Sequence, residues 1–392
     1  MDILKLNFTV FNYCGLWWPD QTAYSKKYFH TISTILMLSM LYVFTLMQLL
    51  DMILGNYTID EMTDNAFMVL TMLSLCFKVT NFVLRRNTII KLLNILHKDI
   101  CLPQNDAESN IQKQFDDVAR FLNYYILSNT ICFAIFVNLT CVGFFTMPIL
   151  SKSYQKRILP FKVSLPYSLT NFFVYWVMFA QQTISMFISG NLNVVSDTLV
   201  SGFLIQACAQ LDILKDRIIN IVKLLGAKDA LSQPLGTNAI YEHAESTIRK
   251  CVQHHIIIYK LTVQNSFGWV MFFQFFVSIV TLCSSVFKLS RKNVTVMEIA
   301  SLVGYLVCLL MQLLFYCWHG NEVKLKSLSV SDAAFAAEWT FLQPKTIKSL
   351  TTIMARSIMP IRITCGSMFT LSLETYGMLQ KRSFKVIMFE PY

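Results

Sequence analysis

The chain has 392 residues, 55% of them hydrophobic and only 14% charged, with a formal net charge of +10. A soluble domain carries about a quarter charged residues, so the composition excludes one and sets an integral membrane protein built as one polytopic bundle. The positive balance does not imply nucleic acid, because the cations flank apolar runs instead of gathering in one basic domain.

In chain order, residues 1–30 hold Trp17-Trp18-Pro19 and Lys26-Lys27 and read as a cytosolic segment lying on the membrane surface. They lack the cationic start, short apolar core and cleavage site of a secretory signal, so residues 31–50 are the first membrane segment. A short acidic loop follows. Residues 66–84 form segment two, interrupted by Lys78, which is expected to snorkel toward the end marked by Arg85. Residues 85–120 are a polar connector of helical pattern. Residues 121–150, free of charge, are segment three. After a basic loop, the uncharged run 163–196 spans about 50 Å as a helix, so segment four should project beyond a ~30 Å hydrocarbon core.

Residues 197–255 read as an amphipathic connector whose apolar face is Leu204, Ala207, Leu211, Leu214, Ile218 and Ile221, broken at Gln233-Pro234-Leu235-Gly236. Segments five and six are residues 261–287 and 299–318. Residues 331–357 read as a cytosolic helix pair, and segment seven starts at residue 361. The fold class is therefore all-α with seven spans. With the N-terminus inside, twenty-two Lys and Arg face the cytosol against ten outside, the balance that the positive-inside rule favours. The sequons at Asn56 and Asn293 then fall outside, where glycosylation can occur.

No catalytic, cofactor or metal motif emerges. The eleven Cys include no CxxC pair, and most lie in apolar segments as small hydrophobes. His254 and His255, near His243 and Cys251, project from different helix faces and do not make a metal set. Asp216-Arg217 resembles part of a G-protein-coupled-receptor motif, but it follows segment four, and no Asn-Pro-x-x-Tyr accompanies it. The remaining chemistry is the binding of an apolar small molecule. The outer half-segments carry aromatics, Met and a few hydroxyls: Met68, Thr71 and Met72; Phe136, Thr140 and Phe144; Phe173, Trp176, Phe179, Ala180 and Thr183; Phe276; and Tyr305. Such stripes line pockets that select ligands by shape, and they also serve ordinary helix packing.

The last fifth of the chain is the most informative. Taken as one helix from residue 361, it places Lys381, Lys385 and Tyr392 within about 20° of Glu374, with Ser367 and Thr370 near the same stripe and Phe389 at its margin. A membrane helix turns such a stripe toward protein or water. The block Cys317-Trp318-His319-Gly320-Asn321-Glu322-Val323, the helix through Ala333 and Trp339, and Leu371-Ser372-Leu373-Glu374-Thr375-Tyr376 followed by Ser383-Phe384 resemble the C-terminal signature of insect odorant receptors. The related gustatory receptors have Thr-Tyr, five residues, then Gln-Phe; here Arg382-Ser383 stand in those places, and Lys385 replaces a small polar residue.

The resemblance implies an odorant receptor subunit, not an enzyme. It implies a tetrameric, ligand-gated cation channel shared with a co-receptor, in the cell membrane of olfactory sensory neurons. By the same resemblance, residues 31–316 hold segments one to six, residues 317–360 an anchor region, and residues 361–392 the pore-lining helix with Glu374, Lys381, Lys385, Phe389 and Tyr392. Its partners would be an odorant, the co-receptor and membrane lipid.

Overall fold

The computed structural model describes residues 5–17, 24–55, 57, 59–121, 159, 161, 171–229, 237–263, 267–289, 296–336, 344–366 and 369–389. These residues fold as helices α1 (Lys5–Tyr13), α2 (Tyr24–Leu54), α3 (Ile59–Leu84), α4 (Arg86–Leu96), α5 (residues 106–121), α6 (Phe172–Asp229), α7 (Thr237–Val263), α8 (Gly268–Leu289), α9 (Val296–Ala336), α10 (Pro344–Ser357) and α11 (Leu373–Phe389), with a two-stranded hairpin before the last. Among the described residues four helices are long and apolar enough to cross a membrane, and α3 with α4, bent by 65°, passes as a fifth span. Segment three lies outside the described residues.

The helices follow the apolar runs, but two are far longer than a membrane needs. At about 1.5 Å per residue the 58 residues of α6 reach roughly 87 Å, and the 41 of α9 roughly 60 Å. Segment four and the first part of the amphipathic connector, as far as Asp229, are thus one continuous helix, whose Leu204, Ala207, Leu211, Leu214 and Ile218 share an apolar cluster with α7 and α9. The expected break at residues 233–236 lies outside the described residues. Likewise α9 carries segment six without interruption into the start of the expected helix pair, as far as Ala336. Pro344 opens α10, where the missing N–H costs nothing.

Two apolar clusters organise the chain. One joins α6 to α11 with α9 at its centre and includes Leu313, Tyr316, Cys317, Val323 and Leu371. The other joins α1, α2, α3 and the outer part of α6 through Phe11, Phe44, Met72, Leu75 and Leu192. The N-terminal helix is tied to this second cluster by Asn7, buried and bonded to the Val195 carbonyl (3.4 Å) and Thr198 Oγ1 (3.0 Å).

The terminal helix begins at Leu373, not at residue 361. Thr364–Cys365 pair antiparallel with Phe369–Thr370, and Leu371 N–H bonds the Ile363 carbonyl at 2.9 Å. Gly366 turns the hairpin with φ +54°, a conformation that favours glycine. Ser372 caps α11 by accepting the Thr375 N–H at 3.2 Å. Thr370 therefore belongs to a strand and not to the helical stripe, and Ser367 lies outside the described residues. At Gly320, α9 runs so close to this junction that a Cβ would sit 2.5 Å from Leu371 Cβ and 2.9 Å from its carbonyl oxygen.

Candidate functional site

The candidate pocket starts on α3. Met72 is buried at 3% exposure and Met68 packs beside it in the cluster shared with α2 and α6. Thr71, one turn from Met68 and next to Met72 in the chain, is half-buried. On the outer end of α6 the rings of Phe172, Tyr175, Trp176 and Phe179 form a ladder with centroids 5.5–6.2 Å apart. Within it Phe179 is buried, while Trp176 and Thr183 are half-buried.

Other expected contacts lie elsewhere. Phe173 (74% exposed), Ala180 and Phe276 (54%) stand on the outer surface of the chain, where Phe276 borders the α8 face that stacks Phe273 on Phe77 at 4.9 Å. Tyr305 sits in α9 without a described side chain. Phe136, Thr140 and Phe144 fall outside the described residues, as do the sequon residues Asn56 and Asn293.

The structure overturns the expectation for Lys78. It does not snorkel: it is 1% exposed and its ammonium lies 2.6 Å from Asp197 Oδ1 and 2.8 Å from Asn193 Oδ1. Asp197 also accepts from the Tyr316 hydroxyl at 2.6 Å and from the Gln312 amide. An intramembrane charge is costly unless paired, and this one is paired across three helices. Sequence reasoning missed the partner because Asp197 closes an uncharged run and read as the start of a connector.

On the last helix, Glu374 and Lys381 are exposed and seven residues apart, so both lie on one stripe. Lys385 and Phe389 belong to α11 without described side chains, and Tyr392 lies outside the described residues. At the base of α11 a cavity of about 170 Å³ is lined by Lys324, Arg362, Thr370, Leu371, Ser372 and Glu374. It is polar, and smaller than the ~300 Å³ at which pockets for apolar ligands begin.

Further along α6, Arg217 binds Glu108 through Nε–Oε1 (3.1 Å) and Nη2–Oε2 (2.8 Å) and donates to the carbonyls of Ile100 (2.5 Å) and Leu102 (2.8 Å). His254 sits 3.4 Å from Arg217 and 2.8 Å from Gln210 Oε1. Burial first, then the charge of Arg217, pushes His254 down to about 3, so it is neutral at physiological pH. This network accounts for Arg217 and His254 as fasteners of the α4–α5 loop to α6 and α7.

The 7tm Odorant receptor family model matches residues 58–384. Odorant receptor Or1 of Anopheles gambiae is 22% identical, covering 98% of this chain and 94% of that protein. Odorant receptor 67c of Drosophila melanogaster is 21% identical over 79% of this chain and 74% of its own length. Among solved structures, the insect olfactory receptor OR5 from Machilis hrabei in complex with eugenol superposes with a TM-score of 0.81 at 14% identity, covering 99% of this chain and 98% of that one. A second structure of the same receptor superposes with a TM-score of 0.77 at 15% identity.

Proposed function

The chain belongs to the 7tm odorant receptor family, and on that premise we propose that it is an odorant-specific subunit of an odorant-gated, non-selective cation channel. In this reading it assembles as a heterotetramer with a shared co-receptor, in the cell membrane of olfactory sensory neurons. The N-terminus is cytosolic and the C-terminus outside, so α11 enters from the cytosol and Asn56 and Asn293 are open to glycosylation. The observation that carries the reading is the match over residues 58–384, which includes both the α6 aromatic ladder and the start of the terminal helix.

The ligand class follows from the residues that wall the candidate pocket. Met68, Met72, Trp176 and Phe179 offer apolar, polarisable surface, and Thr71 and Thr183 offer isolated hydroxyls. A small volatile molecule with at most one or two polar groups fits such walls. The complex of the Machilis hrabei receptor with eugenol, an aromatic molecule of this size class, supports the assignment by analogy of fold. Phe136, Thr140, Phe144 and Tyr305 remain part of the proposed lining.

Gating then requires the ligand to bind the open arrangement more tightly than the closed one. The terminal helix, carrying Glu374, Lys381, Lys385, Phe389 and Tyr392, lines the pore in this proposal. Recording odorant-evoked current from cells expressing this chain with a co-receptor tests it. Surface-expressed protein that gives no current to any member of a broad volatile panel overturns it.

A further inference from the structure

Apart from the pocket and the terminal helix, four membrane helices are joined by a closed polar ring. Ser74 Oγ on α3 donates to Gln274 Oε1 on α8 at 2.5 Å. Gln274 Nε2 donates to Gln312 Oε1 on α9 at 3.1 Å. Gln312 Nε2 donates to Asp197 Oδ2 on α6. Lys78, one turn along α3 from Ser74, donates to Asp197 Oδ1 at 2.6 Å and closes the ring. Tyr316, one turn beyond Gln312, adds its hydroxyl to the same carboxylate at 2.6 Å. Each amide and hydroxyl donates in one sense, and the chain of donors ends on Asp197. Hydrogen bonds to an ionised acceptor are about twice as strong as neutral ones, and the hydrocarbon core offers no water to replace them.

The ring lies between the two parts of the proposed machine. Ser74 is three residues from Thr71 on α3, and Gln312 is seven residues from Tyr305, about 10 Å along α9. In the other direction Tyr316 is one turn from Gly320, which presses on Leu371 immediately before α11. Cys317, next to Tyr316, meets the backbone of Ser372, whose hydroxyl caps the same helix. Thus α9 carries, in order, an expected pocket residue, half of the ring, and the contact with the root of the terminal helix.

We propose that this ring is the latch of the closed channel, and that Gln312 and Tyr316 are the positioning residues through which pocket occupancy reaches α11. The proposal rests on the odorant-gated channel reading. Short hydrogen bonds weaken steeply with displacement and misalignment, so a slip of α9 against α6 parts Gln312 and Tyr316 from Asp197. The Lys78–Asp197 pair, which does not involve α9, survives that slip. A ligand-gated channel is closed in its most stable unliganded arrangement, and an arrangement with every member of a buried polar ring satisfied is the stable one. Opening therefore means breaking the α9 half of the ring, and the ligand must supply that difference.

The test uses the full chain expressed with a co-receptor, comparing Tyr316→Phe and Gln312→Leu with the wild type at matched surface amount. Two quantities are read: ligand-free current as a fraction of the odorant maximum, and the odorant EC50. Both variants should raise the ligand-free fraction at least threefold and lower the EC50 at least threefold. Lys78→Met combined with Asp197→Leu, which removes the ring without leaving a lone buried charge, should shift both quantities the same way. A fall in surface amount with EC50 and ligand-free fraction unchanged would mean a purely structural ring and overturns the latch. A raised EC50 with a lowered ligand-free fraction overturns it as well. If the wild type itself is silent at the surface, the channel reading falls and takes the latch with it; if only the variants match the wild type, the latch alone falls.

Discussion

Replacing Arg217 by Met should be strongly destabilising. The side chain keeps its length but loses two charge-assisted bonds to Glu108 and the donors to the Ile100 and Leu102 carbonyls. Because the Glu108 side chain is 2% exposed and that of Arg217 8%, water cannot take over these bonds. Breaking a buried pair and stranding its partner costs about 3–5 kcal/mol. In a chain this large that corresponds to a fall of roughly 4–6 °C in melting temperature. Fluorescence-detected size-exclusion after a temperature series, on detergent-solubilised protein, measures it. The double variant Glu108→Leu with Arg217→Met should lose less than Arg217→Met alone, since no charge is left stranded. A single-variant loss within about 1 kcal/mol of zero, or a double variant worse than the single, would refute the assignment of Arg217–Glu108 as the fastener.

Other outcomes are expected. His254 is held near 3 when folded, below its unfolded ~6.5, so its contribution is fully present above pH 6.5 and is lost as pH falls toward 3; at pH 5.5 the loss is on the order of 1 kcal/mol, and His254→Gln should show a flatter stability profile from pH 7.5 to 5.5. Phe179→Ala, which truncates a buried pocket aromatic, should raise odorant EC50 tenfold or more at normal surface amount, whereas Phe173→Ala on the outer surface should move it less than threefold. Lys381→Gln with Lys385→Gln should change ion selectivity or conductance of the heteromer, because a cationic ring disfavours cations; unchanged permeation would mean that both ammonium groups sit among lipid headgroups. Epitope tags on intact cells should be labelled at Tyr392 and not at Met1, and the reverse pattern would contradict the orientation.

Much of this architecture was legible in the amino-acid sequence because hydrocarbon demands long charge-free runs, and those of α2, α8 and α9 stand out plainly. The C-terminal signature identified the family before any coordinate. What escaped were features set by long-range pairing. Lys78 sits within snorkelling distance of Arg85, and only the fold reveals Asp197, 119 residues away, as its partner. The continuity of α6 was hidden because charges resume at Asp197, although the heptad-like face from Leu204 to Ile221 continues the same helix. The hairpin before α11 left a signal that could have been read: Pro360 stops a helix, residues 361–365 alternate apolar with polar, and Gly366 supplies the turn. The proposed pocket was least legible, since aromatic residues such as Phe173 and Phe179 look alike in sequence and differ only in which side of α6 they occupy.

The central claim, that this chain confers odorant gating on a cation channel, is tested most directly by whole-cell recording from cells expressing the chain alone, a co-receptor alone, and both together, over one panel of small volatile apolar compounds. The account predicts odorant-evoked cation currents from the pair, with a tuning absent from the co-receptor alone and little current from this chain alone. Silence of the pair at confirmed surface expression across the panel, or robust odorant-evoked cation currents from this chain without any co-receptor, would contradict it.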